Sequence, residues 1–340
     1  MTDLVGYSMD GSQKEGVNVS SPLVNITIPV FHRPLLTQKT ILALRKTSSA
    51  IPYTVTVVDN GSSPELRERL RQFKSDGIID NLFLLPQNMG IACACNIGWD
   101  AVDAPYYMKL DNDICVTGPD WLERLFALWR HGKPFSTLGP CHNTEQMHMN
   151  PGGLETPDGR LGICLTNLQG QCILVPKIVS DVLGVWNEDY GLYGAEDGDY
   201  GVRMVCADLP QYYYYSASYF TDFGVDNVTD YGKTDLNKHK EHSELFVASD
   251  GGLGLFNVNC FLFDLCIRHW KTPRRYRVVD VNQNHEVTVE EDPAYNPVRE
   301  ALVRSKRLLD NKIVKYGKAS AFDPKLIMYL KKIWQDCGHG

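Results

Sequence analysis

The sequence predicts an α/β protein: a mostly parallel sheet flanked by helices, closed by a mainly helical C-terminal extension. Three observations carry this. Apolar β-type runs alternate with amphipathic stretches from Val24 to Val116, and strand, helix, strand in that order builds a parallel sheet. The 340 residues are 43% apolar and 10% aromatic, the composition of a well-packed globular chain. Beyond Ser249-Asp250-Gly251-Gly252 the pattern changes to helical segments with basic stripes. The expected division is a flexible N-terminal tail over 1–21, an α/β domain over 22–250 and a helical extension over 251–340.

The first strand is the run Val24-Asn25-Ile26-Thr27-Ile28-Pro29-Val30-Phe31. Pro34 sits at an early helical position, and Leu35, Leu36, Ile41, Leu42 and Leu44 recur near helical spacing until Pro52. Tyr53 to Val58 is a second buried strand closing on Asp59-Asn60-Gly61-Ser62. Pro64 to Phe73 is an amphipathic helix with Ser63 as N-cap, and Asn81 to Leu85 is a third strand. After the turn Pro86-Gln87-Asn88-Met89-Gly90, residues 91–102 form a helix whose small residues (Ala92, Ala94, Gly98) allow close packing on a sheet. Tyr106 to Val116 is read as a fourth strand carrying Asp111-Asn112-Asp113.

Trp121 to Trp129 is a further amphipathic helix, and the Pro- and Gly-rich stretch 140–162 has the character of a long loop. Strand character returns at Gln171 to Pro176, a helix follows over 178–183, and Gly194-Ala195-Glu196-Asp197-Gly198-Asp199 is a second acidic centre. In the extension, 253–270 reads as an apolar helix, 276–290 as a polar hairpin, 297–316 as a helix with a basic stripe, and Pro324 to Trp334 as a last helix. Lys325, Lys331 and Lys332 of that helix suit an anionic membrane surface, although packing of its apolar face on the domain is the commoner fate.

A net charge of −7 excludes a whole-molecule nucleic-acid binder, because no basic surplus exists to replace phosphate counterions. The ten cysteines lie in apolar contexts without a CxxC pair and read as reduced, buried thiols. The first residues lack the basic and apolar regions of a secretory signal, and no apolar run is long enough to span a bilayer. The expected location is cytoplasmic, with peripheral contact at the inner face of a membrane and homo-oligomer formation as open options.

Two aspartates one residue apart repel each other unless a cation or a hydrogen-bond network lies between them. Either a hard divalent cation, Mg²⁺ or Mn²⁺, sits at Asp111 and Asp113, or Asp-Asn-Asp is a surface turn bonding its own backbone. Asp59, Asn88 and the Asp111/Asp113 pair all fall at or just after strand carboxyl ends, where open α/β sheets bind ligands. His32 and Arg33, after the first strand, stand where a diphosphate would be met; the plain alternative is polar loop residues. Asp199 and Arg203, four apart at a helix start, form a structural pair.

These residues resemble glycosyltransferase family 2, the inverting nucleotide-sugar enzymes with the GT-A fold, over roughly residues 23–225. Val57-Val58-Asp59-Asn60-Gly61-Ser62 resembles the ending of the family's second strand. Asn88-Met89-Gly90 with Asn96-Ile97-Gly98 resembles its helix opening, Asp111-Asn112-Asp113 its DxD motif, and Glu196-Asp197 its acceptor-side pair. The resemblance implies a nucleoside-diphosphate sugar as donor, UDP or dTDP ahead of GDP, and Mn²⁺ or Mg²⁺ as cofactor. A glycan or lipid-linked glycan would be the acceptor.

It assigns donor binding to Pro29, Phe31, Arg33, Asp59, Asn88, Gly90, Asn96, Asp111, Asn112 and Asp113. The metal goes to Asp113 and Asp111, Asp197 becomes the base and Glu196 orients the acceptor. The sequence departs from the family at Thr221-Asp222-Phe223-Gly224, where members often carry a metal-binding His. Asp222 then stands as third ligand, with His239 and His242 as alternatives. Competing readings are a haloacid-dehalogenase-like phosphatase using Asp111, and a non-catalytic sugar- or nucleotide-binding scaffold of the same fold. Trp186, Tyr190 and Tyr193 are candidates to stack on an acceptor sugar.

Overall fold

The computed structural model describes residues 23–142, 152–164, 168–223 and 251–340. The tail 1–21, part of the loop 140–162, and His239 and His242 therefore lie, wholly or in part, outside the described residues.

Four parallel strands form the first half of a nine-stranded sheet: β3 (Asn81–Leu84), β2 (Tyr53–Asp59), β1 (Val24–Val30) and β4 (Tyr106–Leu110), side by side in that order. The sheet continues through β9 (Cys172–Pro176), antiparallel to β4, then β6 (Thr137–Cys141), β10 (Gln211–Tyr215), β8 (Gly159–Ile163) and β7 (Leu154–Thr156). It is a mixed sheet whose N-terminal half is wholly parallel.

Helices cover both faces, which explains why β1 is buried along its whole length. Ile26, Ile28, Val55, Val57 and Met108 pack with α1 (Pro34–Arg45), α2 (Pro64–Ser75) and α4 (Trp121–Trp129). The opposite face meets α3 (Ile91–Asp100), α5 (Lys177–Leu183) and α6 (Glu196–Cys206). The small residues of α3 do what their size predicts. A Cβ on Gly98 would stand 2.3 Å from Thr27 Cγ2, so only glycine lets helix and strand approach this closely. The contact is fastened where the Asn25 amide donates to the Gly98 carbonyl at 2.8 Å.

Two expectations need correction. The stretch 106–116 is not one strand: β4 ends at Leu110, and β5 (Ile114–Val116) pairs instead with β11 (Phe220–Asp222) in a separate ribbon. The Asp-Asn-Asp segment turns the chain out of the sheet, closed by Ile114 N–H to the Asp111 carbonyl at 3.2 Å. The region 140–162 is less loop-like than its composition suggests, because Leu154–Thr156 and Gly159–Ile163 form a hairpin on the sheet edge.

The extension carries α7 (Leu255–Asp264), the hairpin β12 (Tyr276–Val281) and β13 (Val287–Glu291), α8 (Asn296–Tyr316) and α9 (Pro324–Asp336). Its apolar core takes in Tyr190 from the α/β part. A buried polar network extends the join: Asn259 donates to Tyr190 Oη at 2.9 Å, and Tyr190 Oη donates to Asp199 at 2.9 Å. Asp199 also pairs with Arg203 at 2.6 Å, the i,i+4 pair expected from spacing.

Candidate active site

The crevice begins where β1 and β4 part. Their ladder stops at Thr27 and Lys109, two residues before Pro29, whose nitrogen has no proton to continue it. Beyond that point the loops after β1, β2 and β4 face one another, at the place where strand order reverses between β1 and β4.

These loops are bonded together. His32 and Arg33 both adopt left-handed backbone (φ 55 and 54), a conformation rare without glycine. The turn is held from both sides: His32 N–H donates to Ser62 Oγ at 2.8 Å, and the Asn112 amide donates to Thr37 Oγ1 at 2.9 Å and to the His32 carbonyl at 3.4 Å. Phe31, half-buried, lies beside the His32 ring with centroids 4.1 Å apart.

Asp59 closes β2 with no exposed surface, accepting from Ser62 N–H at 3.2 Å with Arg67 Nε at 3.7 Å. Its Oδ1 is buried without a hydrogen-bond partner among the described residues, and burial pushes its pKa up despite Ser62 and Arg67. Such an acceptor is costly unless a ligand donates to it.

Asn88 and Gly90 shape the next turn. Asn88 Oδ1 accepts from the Asn60 amide at 2.8 Å and from Gly90 N–H at 3.0 Å. Gly90, at φ 95, abuts the Gly191 carbonyl so closely that a Cβ would stand 2.1 Å from it. The turn thus braces the 191–195 loop that leads into Glu196. Asn96 lies elsewhere: its amide donates to the Trp186 carbonyl at 2.9 Å and Glu188 at 2.7 Å, and its oxygen accepts from Trp186 N–H at 2.9 Å. With its hydrogen bonds spent inside the core, Asn96 serves the scaffold.

The acidic groups gather around a buried cation the sequence reading passed over. Lys109, 1% exposed, bonds to the Asp111 carboxylate and donates to the Gly170 carbonyl at 2.5 Å. Gly170 N–H in turn donates to Asp197 Oδ2 at 3.1 Å. A Cβ on Gly170 would meet Lys109 Nζ at 3.2 Å and Asp197 Oδ2 at 3.3 Å, so glycine is what fits between them. Asp111 and Asp197, 86 residues apart in the chain, are linked through one lysine and the backbone of one glycine.

Burial pushes Asp111 up to about 6 against the pull of Lys109, with Asp113 and Asp197 adding repulsion. Burial also raises Glu196 to about 7, helped by Asp197 and opposed by Lys109. Glu196 Oε2 is buried without a hydrogen-bond partner among the described residues.

Asp113 pairs with Arg33. Asp222 arrives through the β5–β11 ribbon, opposite Ile114, and Phe223 N–H donates to the Asp113 carbonyl at 3.0 Å. Asp113 is pushed up mainly by burial and further by Asp222, while Arg33 opposes both. A second residue absent from the sequence reading stands here: His142 Nε2 lies 3.9 Å from Asp222 Oδ2, its Nδ1 within 2.8 Å of Ser216 Oγ.

Asp111, Asp113 and Asp222 carry hard oxygen donors of the type a divalent cation takes. Among the described residues, no three His, Cys, Asp or Glu side chains are grouped as an ion would need. Arg33 and Lys109 hold the carboxylates instead.

Trp186 and Tyr190, candidate stacking residues, are buried in the core, whereas Tyr193 is 45% exposed within the 191–195 loop that Gly90 braces.

The fold and site together define an α/β protein with an acidic crevice at the switch point of its sheet. Residues 25–151 match glycosyl transferase family 2, which disfavours the phosphatase reading of Asp111. The chain is 26% identical over 138 residues to validoxylamine A glucosyltransferase of Streptomyces hygroscopicus, covering 40% of this chain and 32% of the relative. It is 36% identical over 108 residues to glycosyltransferase AglE of Haloferax volcanii, covering 30% and 34%. The chain thus matches about a third of the length of these relatives. A mannosyltransferase from Pyrobaculum calidifontis, in complex with GDP-Man and Mn²⁺, aligns over 94% of this chain and 87% of its own with a TM-score of 0.47 and 12% identity.

Proposed function

We propose that the protein is an inverting, metal-dependent glycosyltransferase that moves a sugar from a nucleoside-diphosphate sugar to a hydroxyl of a glycan or lipid-linked glycan. The observation that carries this is the Asp111–Lys109–Gly170–Asp197 connection, which joins the donor-side carboxylate to the acceptor-side one. The match of residues 25–151 to glycosyl transferase family 2 supports the same reading.

In this reading the orphaned Asp59 Oδ1 accepts from the imino N–H of a uracil or thymine ring. Asp113 and Asp111, with Asp222, would hold Mn²⁺ or Mg²⁺, which would neutralise charge on the leaving diphosphate. Asp197, held by two backbone N–H groups, removes the acceptor proton as the acceptor oxygen attacks the anomeric carbon. The bond from that carbon to the diphosphate breaks on the opposite face, which inverts the centre. Glu196 orients the acceptor, and exposed Tyr193 offers it a ring.

Peripheral contact with an anionic membrane belongs to the same proposal. Leu330, Ile333 and Trp334 of α9 pack inward, while Lys325, Met328, Tyr329, Lys331 and Lys332 are exposed. Among the described residues, no helix is long and apolar enough to cross a membrane. Co-sedimentation with phosphatidylglycerol vesicles tests the contact, and equal recovery with neutral phosphatidylcholine vesicles would remove it.

Incubation with a panel of UDP-, dTDP- and GDP-sugars and Mn²⁺ tests the activity. One donor should be slowly hydrolysed without acceptor, and chelation should stop it. Absence of turnover and of nucleoside-diphosphate binding across the panel would refute the activity.

A further inference from the structure

Two buried polar atoms of opposite kind lie close together at the end of β2, and neither has a hydrogen-bond partner among the described residues: the acceptor Asp59 Oδ1 and the donor Arg67 Nε–H. They do not satisfy each other. Nε stands 3.7 Å from Asp59 Oδ2, close enough for an ion pair but too far for a hydrogen bond, and Oδ2 already accepts from Ser62 N–H at 3.2 Å. Both groups are fixed from behind. Asp59 has no exposed surface, and Arg67 lies in the first turn of α2, 20% exposed, beside Leu66 and Leu70 that anchor the helix in the core. The loop between them is pinned too, since Asn60 Oδ1 accepts from Met89 N–H at 2.7 Å and a Cβ on Gly61 would stand 2.6 Å from the Gln87 backbone. A buried carboxylate oxygen and a buried guanidinium N–H, both unbonded, are costly, and one ligand offering an N–H next to an acceptor would satisfy both.

We propose that Arg67 reads the nucleotide base together with Asp59: the carboxylate accepts the ring N–H while the guanidinium donates to the carbonyl beside it, a match for the 2,4-dioxopyrimidines uracil and thymine. The proposal rests on the nucleotide-sugar reading above and adds a second reader to Asp59. Cytosine and adenine present the reverse edge, an amino donor beside a ring-nitrogen acceptor, so Asp59 would face a lone pair and Arg67 an N–H. Buried groups left unpaired in this way are how such a site rejects the wrong ligand. Guanine has the right N–H and carbonyl but adds a 2-amino donor, for which Asp59 has no second free oxygen. The order of affinity expected is UDP and dTDP, then GDP, then CDP and ADP.

Titration calorimetry of the full chain with these five nucleotides at one fixed Mn²⁺ concentration tests this. Arg67→Met keeps the stem and removes every N–H of the guanidinium, and Arg67→Lys keeps the charge beside Asp59 but not the planar fork. The wild type should bind UDP at least about a hundredfold more tightly than CDP. Arg67→Met should weaken UDP roughly tenfold and shrink the UDP-to-CDP ratio by a similar factor, with Arg67→Lys between the two. Asp59→Asn, whose amide can donate to the cytosine ring nitrogen, should turn the ratio toward CDP. A purely structural Arg67 would weaken all five nucleotides alike, so a changed ratio is the signature.

If Arg67→Met keeps the UDP-to-CDP ratio of the wild type, Arg67 does not read the base, and the nucleotide-sugar reading stands. A wild type that binds GDP or CDP as tightly as UDP overturns the proposal in the same way. If none of the five nucleotides binds the wild type, both are wrong. Should Arg67→Met fail to fold, Arg67→Lys with the full wild-type ratio overturns the proposal.

Discussion

Glu196 and Asp197 are adjacent, yet their surroundings divide the work between them. Glu196 is buried and pushed up to about 7 by that burial, so it holds its proton near neutrality. Asp197 is half-buried and receives Gly170 and Gly198 N–H, which hold its carboxylate in a fixed orientation. Replacing Asp197 with Asn should lower kcat by about 10²–10⁴-fold and leave nucleotide affinity unchanged, as steady-state kinetics beside calorimetry would show.

Glu196 also marks stability. Its folded pKa stands above the unfolded carboxylate value of 4.5, so its proton-linked stabilisation is complete below that value and is lost as pH rises through about 7. Glu196→Gln should gain on the wild type by up to about 3 kcal/mol between about pH 5 and pH 8 in denaturant titrations without added metal. A pH-independent difference would contradict the burial argument. The aspartates were legible in the sequence because the spacing of acidic residues carries them. Lys109, Gly170 and His142 were not. Lys109 reads as one more strand residue, and the role of Gly170 exists only because β9 runs antiparallel to β4, with Leu110 opposite Cys172.

Among the elements, the turn out of β4 matters most. Periodicity over Tyr106 to Val116 suits one strand, but Asp111-Asn112-Asp113 breaks it, and β5 finds a partner more than a hundred residues later in β11. That pairing is non-local, so local periodicity carries no sign of the break, while the residue pattern around Thr221 to Gly224 still nominates Asp222. Gly170 belongs to this scale too, since it spaces the β9 entry from α6. Gly170→Ala should cost kcat about tenfold with little change in thermal midpoint, because its Cβ shifts Asp197 or Lys109 by only a few tenths of an ångström. Asn96→Ala should do the reverse. Losing three buried hydrogen bonds that tie α3 to Trp186 and Glu188 should cost about 2–4 kcal/mol, with activity retained in the folded fraction.

For the whole molecule, the alternation of strands and helices was enough to foresee a parallel half-sheet covered on both faces. The mixed half was not foreseeable, because β6, β8 and β10 come together from segments with weak patterns. The parts on either side of the expected boundary near residue 250 are closely packed. Glu188 accepts from Arg275 and Tyr276 N–H at 2.7 and 2.9 Å, and Tyr295 Oη donates to Asp189 at 2.6 Å. A chain cut after Asp250 would leave these carboxylates and the apolar surface around Tyr190 bare. We expect it to be insoluble or to lose cooperative unfolding, and a truncated form with the native thermal midpoint would contradict this.

The central claim is that Asp59, Asp111, Asp113 and Asp197 serve one bound nucleotide sugar and its cation. Anomalous scattering from a crystal grown with Mn²⁺ and the hydrolysed donor's nucleoside diphosphate tests it most directly. The account predicts one Mn²⁺ peak in contact with Asp113, the base beside Asp59 and the outer phosphate turned toward Asp197. A nucleotide bound elsewhere, or a Mn²⁺ peak remote from Asp113, would contradict it.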